Sequence, residues 1–137
     1  MPNWCENELL IKGKKNTIRE FKKAAKGANG ILDAESFIPM PESEKDNWYE
    51  WRIKHWGTKW NFTETKMHKV EENIEYSFNT AWSPPIKVVA AMAKRFPELH
   101  IELKFWEMGA AYQGTYKWKE GRLIYELKKE YTGYRGG

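Results

Sequence analysis

Between Ile74 and Phe105 the chain carries two alternating apolar patterns with a helical pattern between them, and few folds accept that order. Ile74, Tyr76, Phe78 and Trp82 alternate with Glu75, Ser77 and Asn79, which predicts a strand with one buried face. Ser83-Pro84-Pro85 follows, a capping hydroxyl ahead of prolines whose missing N–H groups cost nothing in a first helical turn. The helix is expected to reach Arg95, with Ile86, Val89, Ala90, Ala93 and Phe96 facing inward, until Pro97 stops it. Leu99, Ile101, Leu103 and Phe105 then alternate with His100, Glu102 and Lys104 in the clearest strand pattern of the chain.

A similar unit precedes it. Cys5, Asn7, Leu9 and Ile11 share one face of a predicted strand over residues 5–12, and Gly13 ends it. Asn16 is placed to cap a helix over residues 17–26, whose stripe is Ile18, Phe21, Ala24 and Ala25. Arg19, Lys22, Lys23 and Lys26 lie away from that stripe, and Gly27 is the expected stop. Residues 31–70 read as an aromatic-rich insertion. In it, Ser43-Glu44-Lys45-Asp46 resembles a capping box opening a helix to His55, and residues 58–70 mix strand signals. After Phe105, strands around 112–118 and 122–127 flank Lys119-Glu120-Gly121, a hairpin turn. The expected fold is therefore α+β. It is a ferredoxin-like split β-α-β sandwich with an antiparallel sheet, two main helices on one face, the insertion and a C-terminal β-hairpin. Residues 1–132 form a single domain in this reading, and 133–137 a flexible tail.

Composition narrows the function classes. At 137 residues with 15% aromatic residues and 8 Trp, the chain can bury a sizeable core without staples. It has no window of about 18 apolar residues for a membrane span. The lone Cys5 excludes an internal disulfide and any multi-cysteine metal site; with no signal-peptide pattern at the start, it points to a reducing cytoplasm. The net charge of +4 is uneven. Residues 1–27 carry seven Lys/Arg against three Glu, and residues 117–137 six against three. Such asymmetry marks either a solvated face or a nucleic-acid surface.

Catalytic patterns are thin. His55, His68 and His100 are too scattered for ligand spacing, so no metal and no cofactor is expected. A Cys5–His55 nucleophile pair competes with Cys5 as a small core residue, and the core reading is preferred. Glu71 and Glu72 are adjacent but expected in solvent, and no phosphate-cradling glycine motif occurs. The RNP signature that places stacking aromatics on a ferredoxin-like sheet is also absent.

Four stretches occur together and in order: Met1-Pro2-Asn3-Trp4-Cys5-Glu6-Asn7, Ile38-Pro39-Met40-Pro41, Trp56-Gly57-Thr58-Lys59-Trp60 and Thr80-Ala81-Trp82-Ser83-Pro84-Pro85. With these the chain resembles the YubB-type ferredoxin-like domain family. The resemblance implies a ferredoxin-like fold, a phage or plasmid origin and a cytoplasmic location, and it brings no established activity. In that family an acidic residue often follows the second tryptophan of the middle stretch. Here the position is Asn61, so the resemblance lends no acid–base role to it. The function expected is a non-enzymatic, protein-binding module, with modulation of a host or defence protein as one concrete version. The alternative is a single-stranded nucleic-acid-binding domain. The candidate partner-binding residues are Trp56, Thr58, Lys59, Trp60 and Trp82, either as a groove lining or as packing for the insertion.

Overall fold

The computed structural model describes residues 3–131. Six strands form one antiparallel sheet: β1 (Trp4–Lys12), β2 (Thr63–Val70), β3 (Asn73–Ala81), β4 (His100–Glu107), β5 (Tyr112–Lys119) and β6 (Arg122–Glu130). Their order across the sheet is β2-β3-β1-β4-β5-β6. The helices are α1 (Lys15–Ala25), α2 (Trp48–His55) and α3 (Ile86–Arg95). Strands β1 to β4, with α1 after β1 and α3 after β3, make the ferredoxin-like pattern expected from the alternations, with β1 central between β3 and β4. The C-terminal hairpin extends this sheet at the β4 edge.

The period-two reading of β1 holds residue by residue. Cys5, Asn7, Leu9 and Ile11 are buried, while Trp4, Glu6, Glu8, Leu10 and Lys12 on the other face are half-buried. The buried face meets α1 through Ile18, Phe21 and Ala25 and α3 through Val88, Val89, Met92 and Ala93. Phe21 is the hub of this layer, with ring centroids 5.4 Å from Phe96, 5.7 Å from Phe37 and 6.1 Å from Tyr76. Each such aromatic pair adds about 0.5–1.5 kcal/mol to what area burial supplies.

Helix starts depart from the capping pattern. Lys14, not Asn16, sits at the α1 N-cap, and Pro85 at that of α3; neither contributes a capping side chain. Ser83 donates instead to the Gly57 carbonyl at 2.6 Å, so its hydroxyl joins the insertion to the strand end. The Ser43 box is also unused. Residues Glu42–Asn47 form a 3-10 stretch leading into α2, with no side-chain cap.

Of the region read as an insertion, residues 63–70 are sheet strand β2, and what remains packs on the helical side of the sheet. Leu32, Ala34, Trp51, Trp56 and Phe62 are buried there, with Phe62 4.6 Å from the Phe78 ring. The segment is stapled by Asp33, 3% exposed. Its Oδ1 accepts from the Glu35 N–H (2.9 Å) and from Asn61 Nδ2 (2.7 Å), and its Oδ2 from the Asn29 N–H (3.0 Å). Asn61 Oδ1 in turn accepts from the Ala34 and Phe62 N–H groups at 3.0 and 2.9 Å. A buried carboxylate is tolerated only with such a full set of donors. A Cβ at Gly27 would overlap that carboxylate, so glycine there keeps room for the staple.

The β5–β6 connection is a two-residue loop, Glu120-Gly121, with φ of +54° and +75° between paired Lys119 and Arg122. Positive φ at both centres is the hairpin geometry that matches strand twist. All nine residues of β6 are exposed. The tail expected at 133–137 lies outside the described residues.

Candidate functional site

The five candidate residues divide between core and surface. Trp56 is fully buried, and its indole N–H donates to the Ile38 carbonyl at 2.8 Å while Arg52 sits 4.9 Å above its ring. Thr58 is also fully buried; its hydroxyl donates to the Ala81 carbonyl at 2.9 Å. These two positions are architecture and do not line a groove. Gly57 between them, with φ of +82°, ends α2 and turns the chain back toward the sheet.

Trp82 goes the other way. The alternation placed it in the inward phase of β3, yet it is 49% exposed. The cause is local: β3 ends at Ala81, and Trp82 has φ of +71°, a left-handed conformation that costs a bulky residue roughly 1–3 kcal/mol. The conformation is held by its neighbours. The Trp82 N–H donates to the Asn3 carbonyl at 2.8 Å, and the Tyr112 hydroxyl donates to the Trp82 carbonyl at 2.7 Å. The Thr80 hydroxyl donates to the Ser83 carbonyl at 2.7 Å. A half-exposed indole is thus carried on a corner whose backbone is held by hydrogen bonds.

Lys59 and Trp60 are half-buried beside that corner. Lys59 Nζ lies 4.7 Å from the Trp60 ring centroid and 5.4 Å from that of Tyr49, which is 51% exposed. Trp60 packs 6.0 Å from Trp4, and Trp4 pairs with Ala81, the residue before Trp82. Strand pairing therefore gathers Trp4, Trp60, Lys59, Tyr49 and Trp82 at one end of the sheet. A cation between two aromatic rings suits a protein contact that combines a buried anchor with a polar rim.

Beneath this end lie the buried Cys5, Asn7, Thr80 and Glu107, with half-buried Tyr112 beside them. Asn7 Nδ2 donates to Thr80 Oγ1 (3.0 Å) and to the Cys5 carbonyl (3.1 Å), while its Oδ1 has no hydrogen-bond partner among the described residues. Glu107 is 1% exposed, and its oxygens accept from the Gly109 and Ala110 N–H groups at 2.7 and 2.9 Å, closing the β4–β5 turn. Burial, only partly offset by the Thr80 hydrogen bond, pushes the Cys5 thiol up to about 12, and burial lifts the Tyr112 hydroxyl as well. His55 does not attend the thiol; it stacks 4.5 Å from the Trp51 ring at the end of α2. Cys5 thus behaves as the small core residue that its strand phase indicated.

A reactivity test follows. A thiol whose ionisation the fold opposes stays protonated until the pH passes well above its unfolded value near 9.0. At pH 8 the native thiolate fraction is about a thousandfold below that of the unfolded chain. Native protein is expected to react with a disulfide reagent only through unfolding, so the rate should track denaturant. Above pH 9 the same shift removes stability, because the unfolded chain ionises first, and Cys5→Ala should lack that alkaline loss.

A second concave surface was not recognised from sequence. A cavity of about 520 Å³ lies between α1 and the β2–β3 hairpin, lined by Lys15, Arg19, Lys22, Lys23, Lys26 and Lys69 over a floor including Ile18 and Ile74. The basic face of α1 was legible, but nothing local showed that a hairpin would stand opposite. Among the described residues no group of three or more His, Cys, Asp or Glu side chains converges to hold a metal. No described helix is long and apolar enough to cross a membrane.

With this geometry in hand, the comparisons with known proteins bear on the fold. The crystal structure of protein Api92 from Yersinia pseudotuberculosis is similar along 98% of this chain and 100% of its own, with a TM-score of 0.63 at 8% identity. A search among curated proteins found no match. Residues 55–134 match the model of the ferredoxin-like domain in Api92-like protein, a range that runs from the end of α2 through β6, while central β1 and α1 lie before it. That match spans more than half of the sequence, and the chain belongs to the family of Api92-like proteins that carry this ferredoxin-like domain.

Proposed function

We propose that this protein is a non-enzymatic binding module whose contact surface is the aromatic end of the sheet and whose partner is another protein. The observation that carries the reading is Trp82, a half-exposed indole held in a strained backbone conformation by hydrogen bonds from Tyr112 and to Asn3. A large aromatic side chain with two rotatable bonds on a held backbone loses little conformational freedom on binding, and such residues are enriched at interface hot spots. Lys59 over Trp60 supplies an adjacent cation for the partner's rim. A host or defence protein met by an element-borne chain is the version that fits the YubB-type resemblance.

The open face of the sheet does not favour base stacking. On β1 it presents Glu6 and Glu8, on β3 Glu75 and on β4 Glu102, paired across the strands with Trp106, Lys104 and Leu10. Trp106, the aromatic on that face of β4, is 3% exposed. Carboxylates at the centre of the sheet repel a phosphate backbone, and a buried ring offers no platform.

Trp82→Gly separates function from folding. Glycine adopts φ of +71° without strain, so stability should stay within about 1 kcal/mol of wild type. Specific capture of a partner protein should fall at least tenfold, as loss of an anchor predicts. A variant that folds and retains the partner would remove Trp82 from the surface, and with it the proposal.

A further inference from the structure

The groove between α1 and the β2–β3 hairpin is a strongly charged concave surface. Its lining cations are Lys15, Arg19, Lys22, Lys23, Lys26 and Lys69, and its carboxylates are Glu71 and Glu72. The surplus of four positive charges equals the net charge of the whole protein. None of these six cations makes an ion pair or a side-chain hydrogen bond among the described residues. That separates them from the mixed charges of the sheet, where Lys12 pairs with Glu102 and His68 with Glu75. Uncompensated cations around a concavity raise the local anion concentration and attract a charge that the chain itself does not supply.

The arrangement is linear. Along α1, Lys15, Arg19, Lys22 and Lys26 follow at steps of four, three and four residues and form one stripe about 16 Å long at 1.5 Å per residue. Lys69 stands on the opposite wall, at the end of β2. Five of the six are lysines, which meet an anionic backbone as point charges without fixed geometry. A stripe of this length suits a polymer with a charge on every unit. Ile18 and Ile74, both nearly buried, close the floor, so the accessible lining is the charged rim. No aromatic lines the groove, so stacking contributes nothing and the affinity comes from the backbone charge.

We infer that this groove binds the phosphate backbone of a single-stranded nucleic acid, without sequence preference. The site is separate from the aromatic end of the sheet, and its fate does not depend on that surface.

The test uses the full chain and a fluorescently labelled fifteen-nucleotide oligo-dT, read by anisotropy at several salt concentrations. The expected Kd at low salt is on the order of 10 μM, weakening with a log–log slope of about −2 to −3, the value for three to four phosphates on a single strand. The diagnostic variant is Lys15→Glu with Arg19→Glu. Both residues are exposed in the first turns of α1, where acidic residues favour the helix, so folding is preserved. Affinity should fall at least tenfold and the slope should flatten by about 1.4, while Trp82→Gly leaves binding unchanged. Absence of saturable binding at 50 mM salt would overturn the inference. So would binding that survives the double charge reversal in the folded variant. Equal or tighter binding of polyglutamate or of a duplex of the same length would overturn it too, by showing a surface that selects only for negative charge.

Discussion

Asn61→Asp is expected to destabilise the protein by about 3 kcal/mol near neutral pH, the scale of an uncompensated charge placed in a buried network. Asn61 is the residue that makes the Asp33 carboxylate acceptable in the interior. Its Nδ2 donates to Asp33 Oδ1 at 2.7 Å, and its Oδ1 collects the Ala34 and Phe62 N–H groups. Aspartate keeps the accepting oxygen but sets a second oxygen against the first carboxylate, replacing a hydrogen bond with repulsion. Asn61→Ala, which strands the donors without adding a charge, should cost less, about 1–2 kcal/mol. Urea denaturation of the three proteins at pH 7 checks the order, and a wild-type midpoint for Asn61→Asp would refute the role given to the staple. The same argument explains why asparagine here is not a failed acid: the position serves a buried carboxylate from the neighbouring segment.

Trp56→Ala should cost about 4 kcal/mol, in the range for emptying a fully buried aromatic site. The ring lies at the junction of α2, the insertion and the sheet, 5.8 Å edge-on from Trp51, with its N–H on the Ile38 carbonyl. Trp56→Phe retains most of the packing and leaves that carbonyl without its donor, a loss of about 1–2 kcal/mol. The ordering Ala, then Phe, then wild type in thermal unfolding is the expected outcome. Equal stability of all three would mean that the indole is not packed as described.

Most of the sheet was legible from side-chain period. β1, β3 and the first half of β4 bury alternate residues, Phe105, Trp106 and Glu107 being buried in succession at the end of β4, and the strands of the C-terminal hairpin fall where turn chemistry placed them. The insertion was not legible, for a physical reason. Its buried residues, Leu32, Ala34, Trp51, Trp56 and Phe62, are spaced by irregular turns and follow neither a helical nor a strand period. Asp33 is a buried acceptor beside a 3-10 turn, a role set by donors 4 residues upstream and 28 downstream that no local pattern announces. Trp82 was misplaced because one residue of positive φ ends the alternation, and nothing in Ala81-Trp82-Ser83 signals it. The candidate stretch 56–60 divides in the structure. Two of its residues hold the fold, and two reach the surface beside Trp82.

That division is the central claim, and tryptophan fluorescence with acrylamide quenching tests it most directly on Trp82→Phe and Trp56→Phe. Trp82 should supply the accessible emission, so Trp82→Phe should lower the Stern–Volmer slope of the folded protein with little change in stability. Trp56→Phe should leave the slope equal or higher and lower the unfolding midpoint. A slope that falls with Trp56→Phe and holds with Trp82→Phe would exchange core and surface, and would contradict the assignment of the binding face.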